Sequence, residues 1–214
     1  MITPNEHFWK VFKETPGALS CAEALAIMNV AAEAPEGFRI EFGTYKGKSA
    51  MSAMQVMKSG TSFYLVEPEF SNIDFAAETV KNIFSSFDSV SGIEVPLITD
   101  FSINVISNYN GYSYCFVDSG SHQDGLPMQE VKLLEDRLAQ SGIIAFHDYK
   151  NQFTEVEQAY DYLVSTGKYE PIHINWQEIF DYVAEHNLEE GNNSWHQYPE
   201  LPHPPNFVGA LRKK

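Results

Sequence analysis

Asp118, His147 and Asp148 are the side chains of this sequence best suited to acid–base or metal chemistry. Two carboxylates and an imidazole at adjacent strand ends could hold a divalent cation such as Mg²⁺ or Mn²⁺. Such an ion would lower the pKa of a substrate hydroxyl. Imidazole is a poor Mg²⁺ ligand, so His147 reads equally as a general base. In the plainer alternative, Asp148 caps the next turn and His147 bonds locally. His122, close to Asp118, is either a second base or a hydrogen-bonded loop histidine. His173, His186, His196 and His203 lack metal-ligand spacing and read as surface or lid residues.

Residues 40–49 carry a second kind of chemistry. Glu41 ends an apolar strand, Gly43 and Gly47 follow, and an amphipathic helix begins behind them. The glycines let backbone approach a ligand that a Cβ would block. Free N–H groups at the helix start add donors. Thr44, Tyr45 and Ser49 share this turn and are counted with it. About 20 residues further on, Glu67 ends a second strand, the distance at which βαβ units carry a ribose-binding acid. Pro68 fixes the backbone beside it. Asp100, at a third strand end with Phe101, reads as a nucleoside contact or as a helix cap. Gly-x-x-x-x-Gly-Lys-Ser is absent, and Tyr45 interrupts Gly-x-Gly-x-x-Gly, so a phosphate or pyrophosphate cradle is disfavoured.

Strands and helices must position these groups. Residues 4–35 read as helical, with Ser20 and Glu23 forming a capping box. Strands are predicted at 38–42, 62–66, 93–98, 112–117 and 143–146, with last strands at 169–174 and 207–211. Between them run apolar stripes of helical period: Ala50, Ala53, Met54 and Met57; Ile73 to Phe87; Met128, Val131, Leu134 and Leu138; then Val156 to Leu163 behind a Thr154–Glu157 capping box. Alternating strands and helices imply a parallel sheet covered on both faces, with ligands beyond the carboxyl ends of its strands. Glu41, Glu67, Asp100, Asp118, His147 and Asp148 should therefore line one edge.

Length and composition narrow the classes. The chain has 214 residues, 43% hydrophobic and 20% charged, an ordinary balance for one globular domain. Net charge is −15 with three arginines, which disfavours a nucleic-acid partner. No stretch is long and apolar enough for a membrane span, and the N-terminus lacks a signal-peptide pattern. Cys21 and Cys115 read as buried thiols of a reduced, cytoplasmic protein.

The residues quoted give a resemblance. The chain resembles a class I S-adenosylmethionine-dependent methyltransferase, most closely the small-molecule branch called methyltransferase family 24. Glu41-x-Gly43-x-x-x-Gly47 resembles that family's first motif, and Glu67 stands where its ribose-binding acid stands. Asp100-Phe101 resembles the pair that contacts adenine. Phe116-Val117-Asp118-Ser119-Gly120-Ser121-His122 resembles the Asp-Gly-Asp-His strand end. Residues 142–149 resemble the fifth-strand ending. There are two departures: Ser119-Gly120 replaces Gly-Asp, and Lys48 stands where a small residue is common.

The resemblance implies a Rossmann-like, doubly wound, mostly parallel seven-stranded sheet with helices on both faces and an antiparallel last strand. It implies S-adenosyl-L-methionine as cofactor, bound at Glu41, Gly43, Thr44, Tyr45, Gly47, Ser49, Glu67, Pro68, Asp100, Phe101 and Asp118. It also implies a metal at Asp118, His147 and Asp148, and O-methylation of a small-molecule acceptor with His147, Asp118 and His122 as catalytic candidates. One domain over 1–214 is expected: a helical cap to 35, a core over 36–175, a lid or insertion over 176–206, then the last strand. Trp176 and Trp195 are weak candidates for the acceptor pocket, and the 178–188 helix is read as packing, a lid or a homodimer contact. The competing functions are a non-catalytic nucleoside-binding protein of the same fold and a nicotinamide-dependent oxidoreductase, which lacks its glycine fingerprint here.

Overall fold

The computed structural model describes residues 1–87, 92–120, 122, 124–150, 153–188 and 208–214. Seven strands form one sheet in the order β3-β2-β1-β4-β5-β7-β6. They are β1 (Phe38–Phe42), β2 (Phe63–Val66), β3 (Leu97–Ile98), β4 (Tyr112–Val117), β5 (Leu138–Phe146), β6 (Tyr169–Pro171) and β7 (Gly209–Lys213). The ladders from β3 to β5 are all parallel, while β7 runs antiparallel to both β5 and β6. This is the Rossmann-like arrangement expected, with the last strand reversed.

The helices are α1 (Glu6–Glu14), α2 (Cys21–Ala32), α3 (Lys48–Met54), α4 (Ile73–Ser85), α5 (Ser102–Ile106), α6 (Leu126–Leu134), α7 (Thr154–Ser165) and α8 (Trp176–Glu185). One core gathers apolar side chains of α1, α2, α3, α4 and α8 on one face of the sheet, and a second gathers α5, α6 and α7 on the other. All six residues of β4 are buried, because a central parallel strand has helices on both sides. In β1, Ile40 and Phe42 face the second core, which turns Arg39 and Glu41 toward the first. No helix among the described residues is long and apolar enough to cross a membrane.

Several boundaries differ from the sequence reading. The N-terminal helical stretch is two helices: Thr15 closes α1 on the Val11 carbonyl, and Gly17 turns the chain at φ 141°. Leu138 belongs to β5 rather than to the preceding helix. It pairs with Tyr112, then the register shifts so that Ile143 meets Tyr114, with Ser141 at φ 60° in between. Leu138 is buried by facing the second core, so its helical spacing from Leu134 was incidental. Thr154 is the first residue of α7 and Phe153 its cap, without a side-chain bond, so the second capping box does not form. The Ser20–Glu23 box does form. α3 stops at Met54, β3 is two residues long, and α8 starts at Trp176. Trp176 stacks on Phe180 against the first core. Residues 189–206, with Trp195, His196 and His203, lie outside the described residues, as does Phe207.

Candidate active site

The ends of β1, β2, β4 and β5 open into a cavity of about 400 Å³. It is lined by Gly43 to Lys46, Lys48 and Ser49 from the β1–α3 turn, by Glu67, by Asp118, Gly120 and His122, by His147 and Asp148, and by residues 16–19 between α1 and α2. A larger cavity, about 630 Å³, lies around Arg39, Lys58 and Tyr64 at the opposite ends of β1 and β2. There Arg39 donates to the Ala34 and Pro35 carbonyls and Lys58 pairs with Glu36, with no converging carboxylates or imidazoles. The smaller cavity holds the chemistry.

The glycines also serve close packing of the protein itself. A Cβ on Gly43 would lie 2.1 Å from the Asp118 carbonyl oxygen. A Cβ on Gly47 would lie 2.7 Å from Ile83 Cγ1. Both residues have positive φ. They admit neighbouring protein: β4 closes on β1, and α4 on the start of α3, while Gly43 also lines the cavity.

Glu67 stands at the end of β2. It accepts from the Tyr45 amide at 3.0 Å and the Glu69 amide at 3.3 Å. Its carboxylate is thus fixed by backbone at the cavity wall. Glu41 is fully buried beneath the turn, accepts from Ser49 Oγ at 3.0 Å and does not line the cavity. Burial raises its pKa well above the carboxylate range, against the Ser49 hydrogen bond that lowers it. Gly47, Pro68, Asp100 and Phe101 are not on the cavity wall either. Asp100 accepts from the Phe101 amide and from Asn104 Nδ2, a local helix-start pattern, and Phe101 is exposed.

Two imidazoles and three carboxylates interlock across the cavity. His122 Nε2 lies 3.2 Å from Asp118 Oδ1 and 3.0 Å from Asp148 Oδ2. His147 Nδ1 lies 3.3 Å and 3.4 Å from the same two oxygens. His147 Nε2 meets Glu23 Oε1 at 3.1 Å. His122 and Asp148 both hold left-handed backbone, φ 52° and 57°, as does Tyr45 at 46°. Such conformations are costly for these residues and gather at working sites.

Burial opposes charge throughout the cluster, and the partners overcome it. Hydrogen bonds from His122 to Asp118 and Asp148 lift its pKa to about 9. The Asp118 and Asp148 charges raise His147 well above its ordinary value. The His147 charge, then bonds from both imidazoles, hold Asp118 and Asp148 below theirs. With these carboxylates ionised, the protonated form of both rings is favoured.

Asp118, His122 and Asp148 each offer a ligand atom, all within 4.8 Å of one another. The sequence reading had His147 as the imidazole of that set; its Nδ1 faces the same two oxygens, and His122 joins it from the β4 side. Glu23 itself was legible as a helix cap but not as a site residue. Lys48 was legible only as a departure from the family pattern.

A fourth carboxyl group lies behind the wall. Glu130 of α6 is buried and accepts a short hydrogen bond from Ser119 Oγ, at the position where the motif departs from the family. Burial pushes its pKa up to about 7, against bonds from Ser102 and Ser119 that lower it. The unfolded value is 4.5, so its ionisation costs nothing below about pH 4.5. That cost grows as pH rises and is complete above about 7, at about 3 kcal/mol. Wild type should therefore lose about 2–3 kcal/mol more stability than Glu130→Gln between pH 5 and 8 in urea denaturation. Parallel pH curves would refute this.

A sequence profile described as a methyltransferase domain, family 24, matches residues 40–149. No curated protein sequence matches the chain. Among solved structures, an O-methyltransferase from Bacillus cereus in complex with SAH is similar, with TM-score 0.56 and 15% identity over 80% of this chain and 84% of that one. The precorrin-6y C5,15-methyltransferase of Geobacter metallireducens has TM-score 0.56 and 14% identity, over 74% and 78%. The precorrin 8W decarboxylase of Methanobacterium thermoautotrophicum has TM-score 0.54 and 16% identity, over 75% and 81%. At such identities the likeness is one of fold. The profile, which spans more than half of the sequence, assigns the family: the chain belongs to the methyltransferase domain family and is an S-adenosylmethionine-dependent methyltransferase.

Proposed function

We propose that the protein transfers the methyl group of S-adenosylmethionine to a hydroxyl oxygen of a small molecule. The observation that carries this reading is the convergence of Asp118, His122 and Asp148 in the cavity that Glu67 also lines. Glu67, fixed by two amides, keeps lone pairs for the ribose hydroxyls and so orients the cofactor. The donor set fits a hard divalent cation, with Mn²⁺ tolerating the imidazole better than Mg²⁺. Asp118, His122 and Asp148 would hold such an ion, which would supply a Lewis acid for the acceptor hydroxyl. His147 is anchored at Nε2 by Glu23 and turns Nδ1 to the same oxygens; a cation on Asp118 and Asp148 would offset the charges that keep this ring protonated, and the neutral Nδ1 would then take the hydroxyl proton. The walls hold sulfonium and oxygen in line and exclude water.

Calorimetric titration with S-adenosylhomocysteine, with and without Mn²⁺ or Mg²⁺, tests the reading. Wild type should bind in the micromolar range, and Asp118→Ala should lose the metal-dependent heat. Glu67→Ala should weaken binding by about 100-fold or more, the worth of two charge-assisted hydrogen bonds. Equal affinity in wild type and Glu67→Ala would remove Glu67 from the cofactor site. Metal binding and methyl transfer that both survive Asp118→Ala would remove the metal-assisted mechanism.

A further inference from the structure

Two lysines line the cavity, and they differ in what neutralises them. Lys46 pairs with Glu78 at 2.5 Å. Lys48 does not meet a carboxylate within 4 Å among the described residues, although only 6% of its surface is exposed. Its Nζ donates to the Gly17 carbonyl at 3.2 Å and the Leu19 carbonyl at 3.4 Å, and lies 4.5 Å from the centre of the Phe12 ring. These partners are neutral. An ammonium has three N–H donors, and the carbonyls use two. Burial lowers the pKa of Lys48, and Glu23, which opposes this through space, makes its bonds to Ser20 and His147 instead.

The other cationic groups on the wall, His122 and His147, are already matched by Asp118, Asp148 and Glu23. The cavity therefore has an acidic end, at Asp118, Asp148 and Glu67, and one cation with no carboxylate bonded to it among the described residues. A ligand that suits it carries hydroxyls for a carboxylate and a carboxylate of its own for an ammonium. S-adenosylmethionine has both, a ribose diol and an α-amino acid group.

We propose that Lys48 Nζ binds the α-carboxylate of the cofactor's methionine moiety, by a charge-assisted hydrogen bond through its third N–H. This rests on the reading that the cavity takes S-adenosylmethionine. It also gives the residues between α1 and α2 a function, since Gly17 and Leu19 hold the ammonium at the wall.

The test is a ligand-and-variant cycle by calorimetry. Wild type, Lys48→Met and Lys48→Arg are titrated with S-adenosylhomocysteine, with its decarboxylated analogue, and with 5′-methylthioadenosine, which lacks the whole amino acid. Lys48→Met should bind S-adenosylhomocysteine about tenfold or more weakly than wild type while binding the other two ligands equally well. Lys48→Arg should recover part of the loss. If Lys48→Met does not fold, Lys48→Gln carries the same comparison. A uniform loss for all three ligands would overturn the proposal and leave Lys48 as a tether for residues 17–19. An unchanged affinity for S-adenosylhomocysteine would overturn it as well, leaving the charge for an anionic acceptor. Wild type that binds none of the three ligands overturns the cofactor reading itself, and the proposal with it.

Discussion

Gly43→Ala should leave little folded protein. The residue sits at φ 83°, a conformation that costs an alanine about 1–2 kcal/mol. The larger cost is steric. The new Cβ would lie 2.1 Å from the Asp118 oxygen, 2.6 Å from its carbonyl carbon and 2.8 Å from Ser119 Cα. All three are backbone atoms, so no rotamer change relieves them. Nor can the strands part cheaply: the Gly43 amide donates to the Val66 carbonyl and the Asp118 amide to the Phe42 carbonyl, each at 2.9 Å. We expect a loss of about 4 kcal/mol or more, a large share of the ordinary stability of a domain. Gly60→Ala is the control. It has the same φ of 83° with nothing within 4 Å of the new Cβ, so it should cost only the conformational term, about 1–2 kcal/mol. Urea denaturation followed by circular dichroism compares them. Similar midpoints for the two variants would mean that β1 and β4 approach less closely than described.

Glu23→Ala should cost about 4 kcal/mol, much more than a helix cap is worth. Glu23 Oε2 accepts from the Ser20 amide and hydroxyl, each at 2.7 Å, closing the capping box of α2. Its other oxygen meets His147. Removing it opens the box and leaves a buried imidazolium nitrogen without an acceptor, a loss typically of about 3–5 kcal/mol. Ser20→Ala removes the cap and leaves the carboxylate facing His147, so about 1 kcal/mol is expected. The difference between the two variants, about 3 kcal/mol in denaturation at pH 6, is the share of His147. At pH 6 that ring is charged, because its folded pKa is raised. Equal losses would show that Glu23 serves α2 alone and does not anchor His147.

The gathering of Glu67, Asp118, His147 and Asp148 was legible because parallel strands deliver their carboxyl ends to one edge of the sheet, whatever the helices do. The strand cores and the Ser20–Glu23 box were legible for local reasons, apolar runs and cap chemistry. Element ends were less so. Leu138 continued the helical period of Met128, Val131 and Leu134, and only the register shift opposite Tyr112 shows that it lies in β5. Thr154 and Glu157 have the spacing of a capping box, yet the chain starts α7 one residue too early for it to form.

Residue pattern alone was sufficient for a parallel sheet covered by helices and for the edge that gathers the polar strand ends, since these follow from periodicity and from the order of strands and helices; the reversed last strand was implied by the family resemblance. Which imidazole completes the carboxylate pair, and which groups stand behind it, depended on packing between segments distant in sequence. Glu23 reaches His147 across 124 residues, and Lys48 meets Gly17 and Leu19 across about 30. Side-chain directions at such contacts are set by how α2 and α3 seat on the sheet. That seating is a property of the whole core, and no short stretch of sequence carries it.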